Sequence, residues 1–70
     1  MLSSAILHIL HQSNQALPIT AICQRLKRFF PDAIPSQVSL RTATIESVLQ
    51  LCYFGFIVYD HRKCGYKLLT

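Results

Sequence analysis

Residues 39–57, SLRTATIESVLQLCYFGFI, decide the fold of this chain. Ser39 is a suitable N-cap for a helix, because its hydroxyl can accept a hydrogen bond from an otherwise unpaired backbone N–H. Gly55 is suited to end that helix, since the residue after a helix often has a positive φ, which glycine adopts without strain. The aromatic and β-branched run FIVYD (56–60) follows at once and predicts a strand.

Within this helix the apolar residues repeat with helical spacing. Ile45, Val48, Leu49 and Cys52 fall at i, i+3, i+4 and i+7, so we expect them to form the buried face. The opposite face is short or polar and comprises Arg41, Thr42, Ala43, Glu46, Ser47 and Gln50. This pattern is typical of the third helix of a winged helix, which leads into the wing. A core helix of any small α+β domain would have the same pattern.

The residues before this stretch predict two further helices. Residues 2–13 form the first, with an apolar stripe that comprises Leu2, Ile6, Ile9 and Leu10. Residues 21–30 form the second, capped by Thr20 and ended by Pro31, with an inward face that comprises Ile22, Leu26 and Phe29. Between them, residues 16–18 are expected to form a short strand that pairs with the wing. In the loop 31–38, Ile34 and Val38 are expected to turn back into the core.

The residues after Gly55 predict a β-hairpin, in which FIVYD and YKLL are joined by HRKCG. Gly65 is available for a positive-φ position in that loop. The chain is therefore expected to be a single domain, 1–70, of the α+β class and mostly helical. The element order is that of a winged helix-turn-helix, with three helices and a C-terminal β-hairpin wing.

Composition excludes several other classes. The hydrophobic share of 51% and the charged share of 14% argue against disorder, and no apolar run approaches the length of a membrane span. Three widely spaced cysteines and the lack of a signal peptide favour a reducing, cytoplasmic location. His8 with His11, and His61 with Cys64, offer no third and fourth metal ligands. No catalytic constellation is present, so we expect no enzyme, no metal and no cofactor.

The seven cations are absent from the first third of the chain. They cluster at the end of the second helix, at the start of the third and in the hairpin, which are the elements of a winged helix that meet DNA. The net charge of +4 is compatible with such a partner. Exposure alone would also explain this distribution, since Lys and Arg occupy any solvated surface while the first helix is buried.

The expected function is a regulator of transcription that binds double-stranded DNA. The recognition helix, about 40–54, would enter the major groove, and the wing, 56–69, would contact the flanking backbone. Predicted phosphate contacts are Arg25, Lys27, Arg28, Arg62 and Lys63. Predicted groove contacts are Arg41, Thr42, Thr44, Ser47 and Gln50. A shift of one or two residues in helix register would turn Thr44 into the core instead.

Several segments resemble the DNA-binding half of ferric uptake regulator proteins. These segments are AILHIL (5–10), ITAICQRLKRFFPD (19–32), VSLRTATIESVLQLCYFGFIV (38–58) and YKL (66–68). The resemblance implies a winged-helix fold that binds DNA. It implies nothing about iron sensing, because the metal-binding dimerisation domain of that family has no counterpart in this sequence.

A protein-interaction winged helix that does not bind DNA is the alternative function. The uncharged first helix and the aromatic residues Tyr53, Phe54 and Tyr59 favour a protein partner.

Because Leu7 lies off the apolar stripe of the first helix, we expect a homodimer that forms through that helix.

Overall fold

The computed structural model describes residues 1–69, so residue 70 of the predicted domain lies outside the described part. Its elements are α1 (Leu2–Ser13), α2 (Ile19–Phe29), a short 3₁₀ helix (Pro31–Ala33), α3 (Leu40–Tyr53), β1 (Ile57–Asp60) and β2 (Gly65–Leu68). The chain is 58% helical and ends in an antiparallel hairpin, which confirms the predicted α+β, mostly helical class. This layout is compatible with a winged helix.

The ends of α3 are where the sequence predicts them. The Oγ of Ser39 accepts a hydrogen bond from the backbone N–H of Thr42 at 3.1 Å, so the N-cap is formed. Gly55 has a φ of 84° directly after the helix. The second helix begins earlier than predicted, at Ile19, with Pro18 in the N-cap position and Thr20 inside the first turn. Proline is tolerated there because the first backbone N–H groups of a helix have no partner within the helix.

One core joins the three helices to the hairpin. It contains the predicted α1 residues Ile6, Ile9 and Leu10. The other members come from α2, from α3, from the α1–α2 connection and from β1, and they include Ile22, Leu26, Val48, Leu51, Leu17 and Ile57. Two expectations were wrong, because Phe29 is 61% exposed and Val38 is also exposed. Phe30 packs against the core instead of Phe29, since the helix ends there and the backbone of Phe30 turns to φ −135°.

The face that α3 buries differs from the predicted face. Val48 is buried as expected, but its buried neighbours are Ala43, Thr44 and Leu51, whereas Leu49 is 58% exposed. Ile45 and Cys52 are only half-buried. Both stripes have helical spacing, because apolar residues occur all around this helix. The chain turns directly after this face, and the carbonyl of Leu51 accepts a hydrogen bond from the N–H of Phe56 at 2.9 Å.

The sheet contains the hairpin and one further pairing. The strands β1 and β2 pair antiparallel, with Ile57 opposite Leu68 and Tyr59 opposite Tyr66. An isolated bridge joins Leu17 to Tyr66 through hydrogen bonds of 2.9 and 2.7 Å. The predicted pairing of residues 16–18 with the wing is therefore confirmed, but it is a single bridge and not a strand.

The hairpin loop, residues 61–64, does not use glycine as the sequence suggested. Cys64 has the positive φ, 52°, and not Gly65. Gly65 instead lies against the backbone of Leu17.

Candidate nucleic-acid interface

The start of α3 exposes two of the predicted groove residues, Arg41 and Thr42. The Ser39 cap holds this turn, since Ser39 accepts a hydrogen bond from the N–H of Thr42 and donates one to its Oγ1 at 2.8 Å. Both side chains therefore project from a fixed backbone at the helix N-terminus, where the helix dipole favours negatively charged groups.

The remaining predicted groove residues of α3 are dispersed around the helix. Thr44 has no exposed surface, so its predicted role in DNA binding is wrong. The reason is the rotated register of the helix, which brings Thr44 onto the buried face beside Val48. Ser47 is half-buried, and Gln50 is exposed.

The outward face of α3 consists of Thr42, Glu46, Leu49 and Tyr53, at spacings of four, three and four residues. This face contains no cation. Glu46 would repel phosphates, and Leu49 and Tyr53, which is 86% exposed, give its second half an apolar surface. This surface was not expected from the sequence, because the periodicity places Leu49 on the predicted buried stripe.

The end of α2 carries the densest group of cations. Lys27 and Arg28 are exposed, and Arg25 is half-buried. The guanidinium of Arg28 lies 5.3 Å from the centroid of the Phe29 ring, within the range of a cation–π contact. Arg25 lines a groove of about 410 Å³ between α1 and α2. The other residues that line this groove are His8, Ile9, Gln12, Phe29 and Phe30.

The tip of the hairpin presents Arg62 and Lys63, which are both exposed. Asp60 orders the loop from its base. Its Oδ1 accepts hydrogen bonds from the backbone N–H groups of Arg62 at 3.0 Å and Lys63 at 3.2 Å, and its Oδ2 lies 3.2 Å from Nζ of Lys67. The hydrogen bond from Lys67, with those from the two N–H groups, lowers the pKa of Asp60 below its ordinary value. The carboxylate therefore holds the two exposed cations on an ordered turn.

A polar groove of about 330 Å³ separates the end of α1 from the hairpin. Lys63 and Lys67 of the hairpin and Asn14 and Gln15 of the α1–α2 connection are among the residues that line it. Asn14 and Gln15 were not among the predicted site residues, because the pairing of Leu17 with Tyr66, which brings their loop to the hairpin, joins distant parts of the chain.

The predicted cations thus lie on three elements, the end of α2, the first turn of α3 and the tip of the hairpin. Among residues 1–69, no three metal-ligating side chains lie together. Within the same described part, no helix is long and apolar enough to cross a membrane.

Searches of protein-family models, curated proteins and solved structures gave no match to this chain.

Proposed function

We propose that this domain is a winged helix that binds double-stranded DNA and regulates transcription. One observation carries the proposal: the hairpin presents Arg62 and Lys63 at an ordered tip, and its second strand is bridged to the α1–α2 connection at Leu17. An ordered basic hairpin next to a capped third helix is the arrangement with which winged helices contact a phosphate backbone and an adjacent groove.

In this proposal, the hairpin and the end of α2 bind phosphates, while α3 reads the groove with its first turn. Arg41 is long enough to pair with a guanine or a phosphate, and Thr42 can approach closely. The rest of α3 stays outside the groove, because Glu46 and Leu49 would be unfavourable against the charged backbone. The phosphate-binding residues are Arg25, Lys27, Arg28, Arg62 and Lys63, and the groove residues are Arg41 and Thr42. Ser47 and Gln50, which the sequence also predicts as groove contacts, lie beyond the first turn and stay outside the groove in this proposal.

The resemblance of four segments to the DNA-binding half of ferric uptake regulators supports the same proposal at the level of sequence. It extends to the fold and to DNA as the partner, and not to metal sensing.

A DNA titration at several salt concentrations tests the proposal. Each phosphate contact contributes about −0.9 to the slope of log K against log salt, so affinity should fall steeply as salt rises. Lys63→Ala should weaken binding to all sequences and flatten the slope by about one unit. Arg41→Ala should reduce the free energy of binding to a preferred DNA site by about 1–3 kcal/mol, and should reduce binding to random DNA much less.

A matched pair of threonines provides the control. Thr42→Val alters an exposed groove residue and should weaken binding, whereas Thr44→Val alters a buried residue and should leave the affinity unchanged. A folded protein that fails to bind duplex DNA even at low salt would refute the proposal.

A protein-interaction module is the second candidate. The exposed Leu49 and Tyr53 on the outward face of α3 favour it, because a helix that reads DNA over its whole length would present polar side chains there. This function requires neither Arg62 nor Lys63.

A further inference from the structure

The largest group of exposed apolar side chains lies where α3 passes into the hairpin. We name it the α3-end patch, and its members are Leu49, Tyr53, Phe54, Phe56 and Leu69. Each of these side chains is more than half exposed. A monomeric protein rarely leaves so many large apolar groups together in water, and such patches are typical of protein contact surfaces.

One ring contact and one hydrogen bond order two parts of the α3-end patch. The rings of Tyr53 and Phe54 pack edge to face, with their centroids 5.2 Å apart. The carbonyl of Phe56 accepts a hydrogen bond from the N–H of Leu69 at 3.1 Å, which places the two ends of the hairpin side by side. A partner would therefore meet an ordered surface and would lose little entropy in fixing it.

The size of the patch is sufficient for a symmetric pair. An aromatic side chain has about 150–250 Å² to bury, so three rings that are more than half exposed offer roughly 300–500 Å². The two leucines add to this area. Two copies that cover each other's patches would bury on the order of 1,000 Å² in total, which is about the minimum for a specific interface.

The distribution of charge is compatible with a second copy of this chain as the partner that covers the patch. The patch contains no Lys, Arg, Asp or Glu side chain, and the nearest charged residue on the same face of α3 is Glu46. The chain has a net charge of +4, so two copies repel each other wherever their cations meet. No cation belongs to the patch. The cation nearest to it along the chain is Lys67, whose Nζ is paired with Oδ2 of Asp60 at 3.2 Å, so two copies that meet at the α3-end patch oppose no unpaired cation next to it in sequence.

Helix α1 offers no comparable surface. Leu7, which was expected to contact a second copy through α1, is half-buried and packs against the core. The exposed residues of α1 are the polar side chains Ser4, His8, His11 and Gln12.

We propose that a second copy of this chain packs against the α3-end patch around a two-fold axis, with Tyr53 and Phe54 at the centre of the interface. Burial of apolar surface drives this association, and it does not depend on DNA.

Analytical ultracentrifugation of the protein without DNA tests this proposal. The wild type should show a concentration-dependent dimer, and Tyr53→Ser or Phe54→Ser should weaken the dimer at least tenfold. Phe29→Ser is the matched control, because Phe29 is an exposed aromatic residue at the end of α2, outside the patch, and its loss should leave the dimer intact. Circular dichroism establishes that each variant is folded.

Two results would overturn the proposal. One is a wild-type chain that stays monomeric at about 1 mM, a concentration at which even an interface with a Kd of 1 mM is substantially occupied. The other is a dimer that Phe29→Ser dissociates and the patch variants leave unchanged. Neither result bears on the salt-dependent DNA titration, so the two proposals can fail independently.

Discussion

Gly65 lies so close to Leu17 that a Cβ at position 65 would be 2.7 Å from the nitrogen of Leu17 and 2.8 Å from its carbonyl carbon. Because backbone atoms cannot move aside as a flexible side chain can, only glycine fits here. The close approach allows Leu17 and Tyr66 to exchange hydrogen bonds. Lack of space, and not backbone conformation, therefore requires glycine at the start of β2.

Gly65→Ala should destabilise the domain by more than about 1 kcal/mol, because the added methyl group forces the strand away from Leu17. The amide hydrogens of Leu17 and Tyr66 should then exchange faster with solvent, which hydrogen-exchange measurements can detect. Gly55→Ala is the control. A Cβ at position 55 meets no atom within 4 Å, so only the φ of +84° disfavours alanine there. The free energy of unfolding should therefore fall by about 1 kcal/mol, and the bridge between Leu17 and Tyr66 should remain. Equal exchange in both variants would contradict this explanation.

Truncation of two leucines of α3 distinguishes the observed buried face from the predicted one. Leu51→Ala should lower the free energy of unfolding by about 2–5 kcal/mol, because Leu51 is 6% exposed and packs in the core. Leu49→Ala should lower it by less than about 1 kcal/mol, since that side chain is exposed. Denaturant unfolding at low protein concentration, where association does not contribute, measures both. A larger loss of stability for Leu49→Ala than for Leu51→Ala would show that α3 buries the face expected from the sequence.

The ends of α3 could be predicted from the sequence, but its rotation could not. Local chemistry determines the ends, since Ser39 caps the helix through its own hydroxyl and Gly55 supplies the positive φ that follows it. Rotation depends on which stripe the other elements cover. With apolar residues all around the helix, the periodicity fits Leu49 as well as Leu51, and only the packed core selects Leu51.

Thr44 is buried, and its Oγ1 has no hydrogen-bond partner among the described residues. Thr44→Val should therefore raise the free energy of unfolding by about 1–3 kcal/mol, because a buried hydroxyl without a partner is replaced by a methyl group. Thr44→Ser keeps the hydroxyl and removes the methyl group, so it should be less stable than the wild type. Thermal melts of the three proteins provide the comparison. A valine variant that is less stable than the wild type would show that Oγ1 has a partner in solution.

Asp60 should make the stability of the hairpin depend on pH. The pKa of its carboxyl is lowered in the folded state, and its ordinary value is 3.8. The stabilisation is therefore fully present above that value and is lost as the pH falls through the lower folded pKa. Asp60→Asn should have a lower Tm than the wild type near neutral pH, and this difference should shrink below about pH 4.

Asp32→Asn, which removes a carboxyl in the loop before α3, is the control for Asp60. NMR titration of the Asp60 carboxyl gives the direction of its pKa shift directly. A folded pKa above the ordinary value would contradict the role assigned to Lys67.

The basic residues of the candidate site could be selected from the sequence, but their grouping could not. Arg62 and Lys63 were predicted at the tip of the hairpin because the turn is a local feature of the chain. The groove that Lys63 shares with Asn14 could not be predicted, since it depends on contacts between distant parts of the chain. That Phe30 packs against the core in place of Phe29 could not be predicted either. The backbone changes direction after α2, which leaves the ring of Phe29 exposed and brings that of Phe30 to the core.

The bridge between Leu17 and Tyr66 has a consequence for the order in which the domain forms. During synthesis, the first two helices leave the ribosome long before Tyr66 does, so the connection between them has no strand to pair with. The early chain can form local helical turns, but the sheet must wait for the hairpin. Helix α3 can pack on α1 and α2 as soon as it emerges, but until Tyr66 follows, the backbone N–H and carbonyl of Leu17 have no strand partner.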